Sequence, residues 1–302
     1  MRLVKGKVHL YLIVVTLIYA ATFSLAKLVM PVFIGPYGFI VLRVFAAALL
    51  LTLTKSWFTK DKIDLKAEWK YLLVCAIFGV AANMLMFFKG LSITQEINAA
   101  VMMLFTPIFV FIFSYILKTE KLYWWNFLGI IIAAMGAAMF LGGANFRFQS
   151  QTVIGDIFVM LNAISYAFYL VYVKRLLQKY HPIAITQWCF IIGLFIVLPF
   201  GLTDLKQANF AGMSPNVWFA VLFVLIFATF ITYVLNALAI KEGGAGIVGS
   251  YIYLQPVMAA IIAELLGRDH ITIKKIVFTS IVLLGVYLVS IKKDKENAKN
   301  TA

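Results

Sequence analysis

Acidic residues are scarce. The chain of 302 residues has 12 Asp and Glu against 26 Lys and Arg, and charged residues make up 13% of it while hydrophobic ones reach 64%. A water-soluble domain runs nearer half apolar and a quarter charged. The composition therefore excludes a soluble globular protein and makes lipid the solvent for most of the chain. Cysteine is also rare. Cys75 and Cys189 both fall inside apolar runs, which leaves no disulfide framework and reads as two small buried hydrophobes. The three histidines, His9, His181 and His270, all sit near the ends of apolar runs. No His-Glu-x-x-His motif, no Gly-x-Ser-x-Gly elbow and no serine with a histidine at the same depth occur, so an intramembrane enzyme finds no support. No Walker-type phosphate loop is present. The glycine-rich GGAGIVGS opens an apolar run and lacks the basic residue such a loop needs. Long polar segments are absent too: SWFTKDKIDLKAEWK and GLTDLKQANFAGMSPN are the longest connections. Transport driven by ATP hydrolysis on this chain is excluded, and no cofactor or metal site is expected.

What is there is a succession of apolar runs. Ten of them approach the ~20 residues that cross a hydrocarbon core: 8–29, 36–54, 70–89, 97–117, 124–141, 152–173, 182–201, 216–238, 246–266 and 273–291. The first follows Arg2, Lys5 and Lys7 but outruns the ~7–15 residues of a signal-peptide core, and is expected to be a retained helix. The net charge of +14 does not point to nucleic acid, because the basic residues fall between the runs. With both termini cytoplasmic, most Lys and Arg lie in cytoplasmic segments, as the positive-inside bias requires. The exception is the basic loop GRDHITIKK, assigned outside.

Two prolines sit at matching places. Pro107 in INAAVMMLFTPIFVFIFSYIL and Pro256 in GIVGSYIYLQPVMAAIIAELL are 149 residues apart, and an acidic residue (Glu120, Asp269) and a glycine (Gly136, Gly285) follow each at the same distance. Nearer the start of each half, Tyr19-Ala and Lys27 match Tyr166-Ala and Lys174 at an offset of 147. Five spans per half, 1–146 and 147–302, give two repeats. An odd number per repeat inverts the second one. Paired, interrupted hydrophobic segments in the two halves point to a binding site near the bilayer midplane. Each proline removes an N–H from its helix and frees the carbonyl of Met103 or Ile252. The residue pair reads either as packing kinks or as hinges beside a pore.

Polar residues recur at helical spacing. Asn162, Tyr166 and Tyr169 share one face of the sixth span. Comparable stripes are Thr16, Tyr19 and Phe23; Asn83 and Phe87; Asn98, Met102 and Thr106; Thr229, Tyr233 and Asn236; and Ser250, Tyr253 and Gln255. Amides in lipid must face the bundle interior. There they act as interhelical glue, at ~0.6 kcal/mol each on average, or as ligand contacts. Tyr19, Asn83, Asn98, Met102, Asn162, Tyr166, Tyr169, Tyr253 and Gln255 are the candidate substrate contacts. They suit a small organic solute better than a bare ion. Embedded charge is limited to Arg43 and Glu264. Arg43 reads as a holder of a substrate carboxylate or as a partner of backbone carbonyls. Glu264 reads as a proton or amine site, or as a salt bridge with Arg268. Asp156 opens the sixth span and reads as a helix cap. Gly129, Ala133, Gly136 and Ala137 mark a close helix contact in the fifth span, within the chain or across a dimer.

GLSITQEINAAVMMLFTPIFVFIFSYILKTEKLYWWNFLGIIIAAMGAAMFL and ALAIKEGGAGIVGSYIYLQPVMAAIIAELLGRDHITIKKIVFTSIVLLGVYL, with Arg43 in GFIVLRVFAAALL, resemble the drug/metabolite transporter superfamily, specifically its EamA-type members with ten spans. The resemblance extends over nearly the whole chain. Asp269 replaces the usual loop glutamate, and Tyr19-Ala20 stands where an aromatic-glycine pair is common. The resemblance implies an all-α inner-membrane carrier of two inverted repeats around a central cavity, usually an exporter of small metabolites, with its last helix of each half away from the transport path. Expected partners are a small-molecule substrate and the bilayer, with proton coupling and a monomer or homodimer. A passive facilitator or channel-like permease of the same fold is the alternative.

Overall fold

The computed structural model describes residues 2–3, 6–120, 123–140, 153–265 and 273–292. Nine helices among them are long and apolar enough to cross a membrane, and a tenth, Trp124–Phe140, is apolar but shorter. The chain is an all-α polytopic membrane protein. Lipid offers the backbone no hydrogen bonds, so helices that satisfy their own N–H and C=O groups are the available solution.

The first span runs Gly6–Val29 and the second Pro36–Phe58. The seventh, Pro182–Lys206, and eighth, from Pro215, also begin on proline, whose missing N–H costs nothing in a first turn. The second span lacks a side-chain cap of its own, since Gly35 precedes it. Asp204, near the end of the seventh span, supplies one by accepting from the N–H groups of Tyr37 and Gly38 at 2.9 and 3.1 Å. Gly35 and Gly38 permit this, because a Cβ on either would overlap Asp204. The second and seventh spans, equivalent in the two halves, thus pack on one another.

The fifth span, Trp124–Phe140, packs on the tenth, Ile273–Ser290. A Cβ on Gly285 would come within 2.5 Å of the Ala133 nitrogen and 2.6 Å of the Gly129 oxygen. The small residues of the fifth span therefore serve a contact inside one chain. Residues Arg2–Leu3 pair antiparallel with Ile291–Lys292, so the two ends of the described chain meet at one end of the bundle, as an even number of spans requires.

Two features depart from simple spans. The third, Leu65–Ile93, and the eighth, Pro215–Gly243, each widen into a π-helical segment, Ile77–Ala81 and Ile226–Ile231. These start 149 residues apart, like the two prolines. The fourth and ninth runs are not continuous kinked helices. The fourth is Glu96–Met103 followed by Thr106–Ile116. The ninth is Ala245–Ser250, a 3-10 turn Tyr251–Leu254, then Gln255–Leu265. Each proline opens the second piece, where its missing N–H is harmless. The expectation of a free Ile252 carbonyl is corrected accordingly: the Gln255 N–H takes it up in the tight turn. At Pro107, Leu104 and Phe105 donate to Val101 and Met102 at 3.1 and 3.2 Å.

Candidate substrate cavity

The π segments leave backbone carbonyls facing the bundle interior, and side chains, most of them from other spans, take them. Tyr233 donates its hydroxyl to Gly79 O at 2.9 Å, and Ser165 donates to Phe78 O at 2.8 Å. In the other half, Ala228 O accepts from Thr232 at 2.9 Å and from Arg43 Nη2 at 3.4 Å. Gly79 and Ala228 are equivalent at the 149-residue offset. π-Bulges are frequent at functional sites because they free such groups.

Arg43 is only 3% exposed. Its Nε donates to Thr229 Oγ1 at 2.8 Å, and its guanidinium lies 4.1 Å over the Phe88 ring. Asn83 Oδ1 accepts from the Tyr233 hydroxyl at 3.2 Å, and Asn83 O accepts from Asn162 Nδ2 at 2.7 Å. Asn236 Nδ2 reaches the hydroxyls of both Tyr19 and Tyr166, at 3.3 and 3.1 Å. Apart from the Asn236–Tyr166 contact, these bonds tie the first half to the second.

Around this network lies a cavity. Its wall takes Tyr19, Thr22 and Phe23 from the first span, Arg43 from the second, Asn83 and Phe87 from the third, and Met103 from the fourth; the second half adds Asn162, Tyr166, Tyr233 and Gln255. Among the described residues, the fifth, seventh and tenth spans contribute nothing to it. The volume is about 70 Å³, enough for a few waters but short of the roughly 300–1,000 Å³ of a typical ligand site. Side chains must part before an organic solute fits.

Of the sequence candidates, Tyr19, Asn83, Asn162, Tyr166, Gln255 and Arg43 come together on this wall. Four others lie outside it. Asn98 donates to Asp156 Oδ2 at 3.3 Å, and Thr94 donates to the other oxygen. Asp156, in the first turn of the sixth span, is therefore also a cross-helix acceptor between the third, fourth and sixth spans. Tyr169 stacks on Tyr166 and occupies the space left by Gly79. Met102 and Tyr253 are buried in the packing. Pro107 and Pro256 stand at the helix breaks. Glu264 is on the described helix Gln255–Leu265, but its side chain, with Arg268 and Asp269, lies outside the described residues. Sequence reasoning saw Tyr233 and Asn236 only as a stripe and missed Thr22, Met84, Phe88 and Met103. Apolar residues facing a cavity have no signal that separates them from those facing lipid.

Two matching helical halves, walled around a polar and aromatic cavity inside an apolar bundle, define a polytopic membrane protein of transporter architecture. The EamA-like transporter family matches residues 6–142 and 153–291, and the chain belongs to it. It is 25% identical over 293 residues to an uncharacterized transporter of Archaeoglobus fulgidus, covering 96% of this chain and 99% of that protein. Against the uncharacterized transporter YyaM of Bacillus subtilis it is 25% identical, with 97% of each covered. The uncharacterized inner membrane transporter YedA of Escherichia coli is 25% identical over 65% of this chain and 62% of its own length. A chain in a crystal structure superposes with a TM-score of 0.74 over 95% of this chain and 97% of its own, at 15% identity, which speaks to the fold alone.

Proposed function

We propose that this membrane transporter moves a small organic solute through the central cavity by alternating access, in the direction of export, across the cytoplasmic membrane with both termini in the cytoplasm. The observation that carries the reading is the cavity wall. It is contributed by the inward faces of both halves, and most of the hydrogen bonds around it join one half to the other. Rocking of the halves about it would expose the same residues first to one side and then to the other. The breaks at Pro107 and Pro256 and the two π segments supply the flexible points, since neither place holds a regular α-helical ladder. The excess of Lys and Arg in the even-numbered loops supports the cytoplasmic assignment of the termini.

Spin-label pairs test this directly. Lys66 with Lys241 reports one end of the third and eighth spans, and Ile93 with Asn216 the other. In liposomes, one distance should lengthen as the other shortens across the population. Two distances that stay fixed together would make the protein a passive facilitator and remove the alternating-access reading.

A further inference from the structure

Among the described residues, no acidic side chain compensates the cation in the cavity. Among its described lining residues there is no Asp or Glu, while Arg43 is 3% exposed. Its two hydrogen bonds go to neutral groups, Thr229 Oγ1 and Ala228 O. Its Nη1 is buried with no hydrogen-bond partner. A buried charge is costly unless paired; an arginine fork matches the paired oxygens of a carboxylate or a phosphate, and of the two the carboxylate carries the single negative charge that one arginine balances. Asn162 presents the complementary case. Its Nδ2 is spent on Asn83 O at 2.7 Å, and its Oδ1 is buried without a partner. The other polar groups of the wall largely satisfy one another: Tyr19 and Tyr166 meet Asn236, and Tyr233 meets Gly79 and Asn83. Among the described wall residues, the atoms left fully buried without a partner are one cationic donor and one neutral acceptor, in a single cavity. Around them are Phe23 and Phe87, whose rings meet edge to face at 5.6 Å, with Met84 and Met103 beside them.

We propose that the solute is an organic carboxylate with an apolar or aromatic body and a second group able to donate a hydrogen bond. The carboxylate pairs with Arg43 through Nη1, the donor group reaches Asn162 Oδ1, and the body lies against the Phe23 and Phe87 rings. The proposal rests on the cavity being the transported solute's site and names that solute's class. A cationic amine is disfavoured by the same charge that attracts the acid.

Three probes of one shape separate the charges: 4-hydroxyphenylacetate, its amide 4-hydroxyphenylacetamide, and tyramine. Equilibrium dialysis against the purified full-length protein should show the acid binding at least tenfold tighter than the amide and tighter still than the amine. Arg43→Lys should keep part of that preference, and Arg43→Gln should bring the acid-to-amide ratio to near one. Asn162→Asp leaves Arg43 in place and should weaken the acid at least tenfold while favouring tyramine. It guards against misfolding of the arginine variants, with helical circular dichroism and gel filtration as the check on each. Amide or amine binding as tightly as the acid, a preference that survives Arg43→Gln, or binding of none of the three overturns the proposal. Binding is read without flux, so the two readings fail separately. An acid that binds but is not moved in proteoliposomes defeats the transport reading, whereas a transported amine defeats only the carboxylate assignment.

Discussion

The hydroxyls of Tyr19 and Tyr166 converge on a single amide, Asn236 Nδ2, at 3.3 and 3.1 Å. The two tyrosines match in the two halves, 147 residues apart, so corresponding residues of both halves meet in the cavity wall. Asn236→Leu should remove one hydrogen-bond partner from each hydroxyl inside the bundle. With membrane hydrogen bonds averaging ~0.6 kcal/mol each, a loss on the order of 1 kcal/mol is expected. Thermal unfolding in detergent should show it as a drop of a few degrees, accompanied by slower flux. An unchanged melting point would mean that the bridge contributes nothing.

The contact between the fifth and tenth spans should be stability without substrate specificity. Gly285→Val drives new carbon atoms into the backbone of the fifth span, where a Cβ alone would already lie 2.5 Å from the Ala133 nitrogen and 2.6 Å from the Gly129 oxygen. Overpacking of this kind costs about 1–3 kcal/mol or more. The expected result is a lower melting temperature with unaltered solute affinity in the fraction that folds. A changed affinity at normal stability would bring these spans into the transport path.

Glu120 joins three elements. It accepts from Lys174 Nζ at 2.7 Å and from the Ala245 N–H at 2.8 Å, at the start of the ninth span. Gly244, at φ +94°, makes the turn there, and a side chain in its place would also meet Glu120. Glu120→Ala should speed amide exchange across Ala245–Ser250 severalfold by mass spectrometry. Removing the more exposed Lys7–Glu242 pair, which water screens, should change exchange little. Equal effects would argue against Glu120 as the cap.

A pH effect is expected at His181, which precedes the seventh span. Its Nδ1 accepts from the Ile183 N–H at 3.4 Å, and its own backbone N–H donates to Asp61 at 2.8 Å. Burial, and then the nearby Lys241 charge, push its pKa below the ordinary 6.5, with Asp61 opposing. The folded chain therefore binds this proton less well than the unfolded one. The contribution is full above about pH 6.5 and is lost as pH falls toward and through the lowered value. Melting curves from pH 8 to 5 should decline more steeply for the parent chain than for His181→Gln. Parallel curves would refute the assignment.

Glu264 remains the candidate for coupling, as an acidic residue on the helix that Pro256 opens. Glu264→Gln should abolish any dependence of flux on a pH gradient while leaving exchange without a gradient intact. Coupling that persists in the variant makes Glu264 structural.

The sequence was most informative where lipid imposes a rule. Scarce charge, long apolar runs and basic loops led to the membrane and to ten spans. The recurrence of Pro107 and Pro256 located the two broken helices, though not the form of the break. It took the three-dimensional arrangement to show that proline begins a new helical piece there. The π segments were hidden, even though Ile77-Phe78 and Ile226-Phe227 repeat at the 149-residue offset. A two-residue match between apolar helices is indistinguishable from chance without the backbone. Asn98 and Asn162 illustrate the limit for the site. Both are amides on interior faces, yet one goes to Asp156 near the ends of the spans and the other to the cavity, because depth and rotation of each helix decide the partner.

By itself the chain determined its solvent, its number of crossings and its twofold internal repetition, since these follow from hydrophobicity and length, which are properties of each segment alone. The tertiary structure decided which polar groups face one another, that Arg43 lacks a carboxylate among its described neighbours, and that only some of the spans wall the cavity. Those are properties of how helices are placed side by side. In a bilayer, where an apolar surface is as comfortable against lipid as against a neighbouring helix, hydrophobic pattern cannot set that placement; close packing at glycines and the pairing of a few buried polar atoms do.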